Sequence, residues 1–213
     1  MGINNQNLID KIYNNALLVY PITIDMAAQI AKYVDLLLKW NRVYNLTAIT
    51  AIDEVIRLHI LDGLSIMSHL HEFNNIIDVG SGMGVPGILI AIVYPQIKVS
   101  LIDNSSKKTS FLKQVAIELG LSNIVVINSR VEEYDSLIKF DVAISRAFTS
   151  SKMFIDLTAH LLKVNNSNWL LMKSTKIDSE IAQLADYKYD ILNLNVKDII
   201  GERYLLKIYN KVR

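Results

Sequence analysis

The chain has no cysteine and almost no excess of charge of either sign. The absence of cysteine excludes disulfide bonds, thiolate metal sites and any mechanism that begins with a thiolate nucleophile. The 22 basic and 21 acidic side chains leave a net charge of +1, so a nucleic-acid partner would have to meet a local basic patch. Histidines and carboxylates nowhere take the spacing of metal ligands, and we expect no metal.

Targeting signals and membrane spans are also missing from the sequence. The N-terminus shows neither a signal peptide nor a myristoylation pattern. The uncharged stretch 79–97 approaches the length of a membrane span, but its glycines, Pro86 and Pro95 indicate a turn followed by a buried helix. We therefore expect a cytoplasmic protein with no membrane partner.

What the chain has in quantity is apolar side chains. Hydrophobic residues make up 51% of its 213 residues, which excludes disorder and suits one α/β domain with a short extension. The spacing of apolar residues is helical from about residue 5 to residue 70. We expect a helical extension over 1–72 that packs on a second part over 73–213, so that the two form one compact unit.

Beyond residue 75, short β-rich runs alternate with helical ones, which is typical of a doubly wound parallel sheet. The last two β-rich runs have no helix between them, so we expect the final strand to pair antiparallel through a hairpin. The predicted strands are Ile76–Val79, Val99–Asp103, Ile124–Asn128, Val142–Ser145, Trp169–Lys173, Asp190–Val196 and Arg203–Tyr209. The predicted helices are Pro86–Tyr94, Lys107–Leu119, Lys152–Leu162 and Asp178–Tyr187.

A glycine-rich turn after the first predicted strand is the most informative stretch of the sequence. Gly80, Gly82 and Gly84 let the backbone turn tightly and approach a ligand, which is how a nucleotide cofactor is held. The spacing Gly82-x-Gly84-x-x-Gly87 formally satisfies the dinucleotide fingerprint, so a dehydrogenase has to be considered. Asp78 precedes the turn, where it would repel a phosphate and is placed to accept N–H groups or face an ammonium group.

The carboxyl ends of parallel strands open on one crevice, so residues just beyond them converge on one ligand. Asp103 ends the second predicted strand, 19 residues after Gly84. At this spacing a carboxylate reaches a ribose hydroxyl in a βαβ nucleotide fold. The alternative role of Asp103 is helix capping, for which Asn104, Ser105 and Ser106 stand nearer to the helix.

Nine segments or residue groups, spread over nearly the whole sequence, carry a resemblance to a known family. They are Lys39-Trp40-Asn41, Tyr44-Asn45-Leu46-Thr47, His59-Ile60-Leu61-Asp62, the run from Asp78 to Gly87, Asp103 with Lys107-Lys108 and Phe111-Leu112, Ser129-Arg130-Val131-Glu132-Glu133, Phe140-Asp141, Ser145-Arg146-Ala147-Phe148 and Met172-Lys173. With these segments the sequence resembles the glucose-inhibited division protein B family, also called RsmG, of class I S-adenosylmethionine-dependent methyltransferases. The sequence departs from the family pattern at Leu58, Gly63 and Ser174, where a basic residue, Ser and Gly are usual.

The resemblance implies a Rossmann-like, seven-stranded α/β sheet with an antiparallel last strand. It implies transfer of a methyl group from S-adenosylmethionine to N7 of one guanine in 16S ribosomal RNA, either free or in the 30S subunit. It further implies that Val131 and Glu132 frame the adenine of the cofactor, although a solvated loop charge is the alternative for Glu132. The predicted cofactor site consists of Asp78, Gly80, Gly82, Gly84, Val85, Asp103, Val131, Glu132 and Arg146.

The chemistry asks little of the protein, because guanine N7 has a lone pair and no proton to lose. No general base is therefore expected. The absence of an Asn/Asp-Pro-Pro-aromatic motif after the fourth predicted strand argues against an exocyclic amine as the acceptor. Arg146 is expected to orient the base or the cofactor, and Phe148 either stacks on a splayed base or belongs to the core.

Basic residues near the ends of strands are expected to form the RNA-binding face of what we take to be a monomer. Because nothing acidic follows Lys107 and Lys108 before Glu118, we expect both lysines to contact phosphate and to point away from the cofactor. We interpret His59 as a structural histidine paired with Asp62, with substrate contact as the alternative. The predicted RNA-binding residues are Arg57, His59, Lys107, Lys108, Arg130, Phe148 and Lys173, with Lys176 beside them.

Two other classes of function remain open at this point. A small-molecule methyltransferase would share the cofactor site, but the sequence has no large insertion that would enclose a small acceptor. A nucleotide-binding protein without catalysis would share the glycine turn, but neither Asp78 nor the matching segments outside the turn would then be needed.

Overall fold

The computed structural model describes residues 5–146, 148–174, 177–196, 199 and 201–210. Within these residues seven strands form one sheet, in the order β3-β2-β1-β4-β5-β7-β6. Neighbouring strands from β3 to β5 are parallel, whereas β7 runs antiparallel to both β5 and β6. The strands are β1 (Asn75–Val79), β2 (Lys98–Asp103), β3 (Ile124–Asn128), β4 (Val142–Arg146), β5 (Asn168–Lys173), β6 (Tyr189–Asn193) and β7 (Tyr204–Tyr209).

Helices cover both faces of the sheet and build the N-terminal part. Before the sheet lie α1 (Asn5–Ala16), α2 (Ile24–Tyr44), α3 (Ile52–Val55), a π-helical segment (Ile56–Leu61), α4 (Asp62–Leu64) and a 3₁₀ turn (Met67–His69). Between the strands lie α5 (Gly87–Val93), α6 (Ser106–Leu119), α7 (Ser151–Thr158) and α8 (Ile177–Ile181), with 3₁₀ turns at Val131–Glu133, Ala159–Leu161 and Ala182–Leu184.

The sheet predicted from the sequence, including its antiparallel last strand and its hairpin, is confirmed. Three predicted elements end well before their expected last residue. The helix expected over Lys152–Leu162 is α-helical only to Thr158 and continues as a 3₁₀ turn. The helix expected over Asp178–Tyr187 ends at Ile181 and continues only as a 3₁₀ turn, because none of its α-helical residues is buried and no packed face extends it. The sixth strand was expected to reach Val196. It ends at Asn193, the residue at which its pairing with β7 stops.

The N-terminal helices and the sheet share an apolar core. Helix α2 begins at an N-cap, Thr23, whose side chain accepts the N–H of Met26, and it buries one face along most of its length. Its buried side chains belong to the same continuous cluster as those of α5, β1 and β2, including Leu37, Leu89 and Leu101. The N-terminal helices therefore complete the hydrophobic layer on one side of the sheet.

Asp141 joins the start of β1 to the start of β4 at the edge of the sheet opposite the glycine-rich turn. Its Oδ2 accepts the backbone N–H groups of Asn74 (2.8 Å) and Asn75 (2.9 Å), and its carboxylate pairs with Lys163. The Asp141 side chain is buried, whereas that of Lys163 is half exposed. The two N–H bonds should therefore contribute more to stability than the ion pair.

We expect Asp141→Ala to lower the free energy of unfolding by about 2 kcal/mol, because it removes the acceptor of two backbone N–H groups and each such bond is worth about 1 kcal/mol. The matched variant Lys163→Met keeps both N–H bonds and should cost less than about 1 kcal/mol. Urea denaturation of the three proteins measures the difference. Equal losses in the two variants would show that the ion pair, and not the backbone bonds, holds this edge.

Candidate functional site

The glycine-rich turn after β1 is held in place by the neighbouring strand. Gly80, Gly82 and Gly84 have φ angles of 69°, 59° and 99°, in the left-handed region that favours glycine. The N–H groups of Gly80 (2.9 Å) and Ser81 (3.1 Å) both donate to the carbonyl of Ile102, the penultimate residue of β2. The turn therefore lies against the carboxyl end of β2, as the sequence predicts.

Asp103 fixes this arrangement from the end of β2. Its Oδ2 accepts the N–H of Gly82 at 3.0 Å, and its Oδ1 accepts the N–H of Ser105 at 2.9 Å. The same carboxylate therefore shapes the glycine turn and the start of α6, where Ser105 is the N-cap residue but makes no side-chain cap bond. Helix capping and ligand binding are thus not exclusive alternatives for Asp103, because an ionised carboxylate can accept about four hydrogen bonds.

Lys108 does not point away from this site, so the sequence-based expectation for it is wrong. Its Nζ lies 3.5 Å from Oδ2 of Asp103, and the residue lines a cavity that opens at the carboxyl ends of the strands. The prediction failed because the compensating carboxylate precedes Lys108 by five residues and is brought back to it by the turn between β2 and α6. Lys107, the next residue on α6, is exposed.

Asp78 lies beneath the turn, and only 1% of its surface is exposed. Its Oδ2 accepts the N–H of Gly87, the first residue of α5, at 3.0 Å. Of the two roles foreseen for this carboxylate, the structure places it as the acceptor of an N–H group just beyond the turn. Burial raises the pKa of Asp78 to about 7, although the Gly87 N–H and the nearby Arg146 act in the opposite direction.

A cavity of about 450 Å³ opens at the carboxyl ends of β1, β2, β3 and β4, a size typical of small-molecule sites. Strand order reverses between β1 and β4, which is where an open α/β sheet binds its ligand. Of the predicted cofactor residues, four line the cavity, namely Gly80, Asp103, Val131 and Glu132. The other five, Asp78, Gly82, Gly84, Val85 and Arg146, lie outside its lining.

Sequence reasoning missed the far wall of the cavity. Asn104 follows Asp103 directly, and Thr149, Met153 and Leu157 come from α7 and the loop before it. Met153 and Leu157 are four residues apart and so share one face of α7. The spacing of these two apolar residues, in the helix after the fourth strand, was the sequence signal that could have identified this wall of the cavity.

Phe148 lies across the mouth of the cavity and is 41% exposed, so it is not the core aromatic that was considered as an alternative. Its ring covers Gly80 so closely that a Cβ atom at that position would overlap with it. The edge of the ring also meets Phe154 of α7, with 6.0 Å between the ring centroids. Glycine is therefore required at position 80 for two reasons. Its φ angle is left-handed, and a side chain would overlap with the Phe148 ring.

Arg146, the last residue of β4, faces the N-terminal helices. Its Nη1 donates to the carbonyl of Leu58 (3.0 Å) and to Oδ2 of Asp62 (3.2 Å), and its Nη2 lies 3.3 Å from Nδ1 of His59. Asp62 also lies 3.3 Å from Nε of Arg203 at the start of the last hairpin strand. One buried carboxylate is thus shared by two arginines from different parts of the chain.

His59 is structural, but its expected partner is wrong. Its Nε2 lies 3.1 Å from Oγ1 of Thr47, and Asp62 pairs with Arg146 instead. The i+3 argument assumed a regular α-helix, whereas this segment is π-helical, and the side chains of His59 and Asp62 both contact Arg146 rather than each other. Burial, and then the Arg146 charge, lower the pKa of His59 to about 4, so the ring is neutral near pH 7. Its Nδ1 also lies 3.1 Å from the carbonyl of Leu58, and the tautomer decides whether this nitrogen donates there or accepts from Arg146.

Gly63 explains one departure from the family pattern. A Cβ atom there would lie 2.6 Å from Cδ1 of Leu89 and 2.7 Å from Cγ1 of Val85. Val85 is thus packed against the helical extension. It supports the turn from behind and does not face the cavity.

The remaining predicted RNA-binding residues do not form one free patch. Arg130 is exposed and lies 3.7 Å from Glu132 and 4.0 Å from Glu133. Arg57 is half-buried. Lys176 lies outside the described residues.

Lys173 is the clearest correction among these residues, because it is largely buried. It donates to the carbonyl of Thr149 (3.0 Å) and pairs with Glu180 (3.2 Å), whose carboxylate also accepts the N–H of Ser151. Lys173 therefore holds the loop that carries Phe148. The sequence could not show this, because Glu180 reaches Lys173 only through the fold of the chain after β5.

In the part of the chain that the structure describes, no group of three or more His, Asp or Glu side chains could hold a metal ion. Among the described helices, none combines the length and the apolar character that crossing a membrane requires.

Comparison with known proteins gives a family match for the chain. The family model described as rRNA small subunit methyltransferase G, GidB, matches residues 26–201. The chain is 43% identical over 183 residues to the ribosomal RNA small subunit methyltransferase G of Hydrogenovibrio crunogenus, covering 85% of this chain and 84% of the relative. It is 45% identical over 180 residues to the protein of the same name from Pseudomonas syringae pv. syringae, covering 84% and 83%.

The fold is also similar to that of solved structures. One is an S-adenosylmethionine-dependent methyltransferase from Aquifex aeolicus, with a TM-score of 0.58 and 14% identity, covering 74% of this chain and 93% of that one. At this identity the likeness concerns the fold alone.

The raised pKa of Asp78 predicts a pH-dependent stability. Between the usual value of 3.8 and about 7, the folded chain holds more protons on Asp78 than the unfolded chain, so this group makes the free energy of unfolding fall as pH rises. Asp78→Asn removes this slope. We expect the stability of the variant relative to the wild type to rise from pH 5 to pH 8, by about 1.4 kcal/mol per unit below pH 7. Urea denaturation across this range measures it, and a difference that does not change with pH would contradict the prediction.

Proposed function

The chain belongs to the rRNA small subunit methyltransferase G family, also called GidB, and we propose on this basis that it transfers a methyl group from S-adenosylmethionine to N7 of a guanine in 16S ribosomal RNA. The observation that carries the proposal is the position of Asp103. It stands at the end of β2, largely buried and at the edge of the cavity, where its carboxylate already accepts from Gly82, Ser105 and Lys108. About one of its four acceptor positions remains, which suits a hydroxyl of a ribose.

The other walls of the cavity fit the rest of the cofactor. Val131 is buried and supplies an apolar surface for the adenine, and Glu132 beside it can accept a hydrogen bond. Gly80 lines the cavity with its backbone alone, and because the Phe148 ring packs against it, the amino-acid end of the cofactor has to lie beside that ring. When bound, S-adenosylmethionine supplies an electrophilic methyl group on a sulfonium.

The residues around the cavity are suited to orientation rather than to proton transfer. N7 of guanine carries no proton, and His59, whose pKa is lowered by burial to about 4, is neutral near pH 7 and too weak a base to take part in proton transfer. Holding the nucleophile and the methyl group in line can by itself supply up to about 7–11 kcal/mol of a barrier. We propose that Arg146, whose side chain keeps 18% exposure, contributes by positioning the base at the carboxyl end of β4.

The substrate surface follows from the side chains that remain accessible. We propose that Lys107, Arg130 and Arg57 contact the RNA backbone and that Phe148, at the mouth of the cavity, stacks on the exposed target base. We assign Lys108 to the wall of the cofactor cavity, and Lys173 to holding the loop that carries Phe148. We further propose that the chain acts as a monomer, with the helical extension over 1–72 and the part over 73–213 as one unit, in the cytoplasm where ribosomal RNA is found.

Cofactor binding tests the role of Asp103. A hydrogen bond to a charged group is worth about 1.5–3 kcal/mol, so Asp103→Ala should weaken S-adenosylmethionine binding about 10-fold to 150-fold in calorimetry. Asp103→Asn keeps an acceptor for the Gly82 N–H and should lose less. Lys107→Ala, an exposed neighbour outside the cavity lining, serves as the control and should bind the cofactor normally. Unchanged affinity in Asp103→Ala would remove this residue from the site.

The reaction itself is tested with purified protein, S-adenosylmethionine and 30S subunits or free 16S RNA, both taken from cells that lack the enzyme. We expect 7-methylguanosine at one position, detected by mass spectrometry of nuclease digests. Lys107→Glu should raise the KM for the RNA substrate and flatten its salt dependence, with cofactor affinity intact. Cofactor binding without 7-methylguanosine on either substrate would refute the proposal and favour a small-molecule acceptor.

A further inference from the structure

The C-terminal end of α2 and the loop after it form an exposed surface that the proposed function has not used. We call residues 39–50 the α2 rim. Two cations, Lys39 and Arg42, project from it, together with Val43 (70% exposed) and Tyr44 (41% exposed). Among the described ion pairs, neither cation has a carboxylate partner.

The shape of the α2 rim is fixed before any partner binds. Asn45 ends α2 in the left-handed conformation, and its N–H donates to the carbonyl of Asn41. The side-chain amide of Asn41 then holds Thr47 twice, as donor to its carbonyl (2.9 Å) and as acceptor from its N–H (2.8 Å). A surface that is already ordered binds without the entropic cost of ordering a loop.

The α2 rim also adjoins the proposed site at both of its ends. At one end, the ring of Trp40 packs on Phe111 of α6, with 5.7 Å between centroids, and Phe111 is one helical turn from Lys107. At the other end, Thr47 contacts His59, whose other ring nitrogen contacts Arg146. The rim therefore runs from the first turn of α6 to the end of β4.

A groove of about 660 Å³ opens along the α2 rim, and its lining contains no carboxylate. Arg42, Asn45, Thr47 and Thr50 supply polar groups to it. The acidic Asp53, which follows the groove, pairs with Lys11 of α1. Beside the groove, the ring of Tyr44 is backed by that of Trp40, with 5.1 Å between centroids and 34° between planes.

We propose that the α2 rim is a second RNA-binding surface, which holds a nucleotide next to the target guanine. Arg42 and Lys39 bind phosphate, and the supported ring of Tyr44 stacks on a base. Exposed cations beside an accessible aromatic ring are what single-stranded RNA requires, whereas an apolar protein partner would need a larger contiguous apolar patch. The inference rests on the proposed function, because it concerns the same RNA.

The test measures binding of 30S subunits and of free 16S RNA, and steady-state methylation of both, for rim variants. Arg42→Glu should weaken RNA binding about tenfold and lower the slope of log affinity against log salt concentration by about one. Tyr44→Ala should weaken binding about 5- to 150-fold, the range found for loss of one stacked base, while Tyr44→Phe should retain it. In each case KM for RNA should rise more than kcat falls, and cofactor affinity should stay unchanged.

Lys98→Glu is the matched control, because this exposed lysine lies at the amino end of β2, at the opposite edge of the sheet. It should bind RNA as the wild type does, and thermal unfolding should show all variants folded. The inference is overturned if Arg42→Glu and Tyr44→Ala bind RNA normally, or if Lys98→Glu loses as much as Arg42→Glu. These results are independent of the proposed function, which fails instead if the wild type binds RNA but forms no 7-methylguanosine.

Discussion

The bond between the Asp103 carboxylate and the N–H of Gly82 is the contact on which the rest of the site depends. Parallel pairing of β1 with β2 sets Val79 opposite Ile102, so the turn after β1 leaves its strand beside the end of β2. The Ile102 carbonyl and the Asp103 side chain then take up three N–H groups of the turn. The glycines permit the turn, but hydrogen bonds to the neighbouring strand fix its conformation. In this conformation the Phe148 ring packs directly on Gly80.

A second constraint comes from charge buried between the helical extension and the sheet. Asp62 carries one negative charge and lies between Arg146 and Arg203, which carry two positive charges. Burial makes protonation of His59 costly, and it would also add a third positive charge beside Arg146, so the imidazole stays neutral. Removing either arginine would leave the carboxylate with only one partner. Buried charge thus links the N-terminal helices to β4 in addition to the shared apolar core.

The parts of this structure that follow from local pattern could be predicted from the sequence. The run of Ile76, Ile77 and Val79 before glycines gave the strand and the turn, and β3 occupies its predicted residues. Side-chain partners distant in sequence could not be predicted in this way. Lys173 and Glu180, or Arg146 and Asp62, meet only because strands and helices pack, and His59 contacts Thr47 for the same reason.

The position of β7 within the sheet constrains the order of assembly. β7 follows every other strand in the sequence, yet it lies inside the sheet, between β5 and β6. While the chain emerges from the ribosome, β5 keeps an unpaired edge until residues beyond Tyr204 become available. Over the same interval Asp62 lacks its second arginine partner, Arg203. Strands β1 to β4 can pair earlier. The last strand therefore completes both the sheet and the buried charge network, and until it pairs, the inner edge of β5 is an open β-edge.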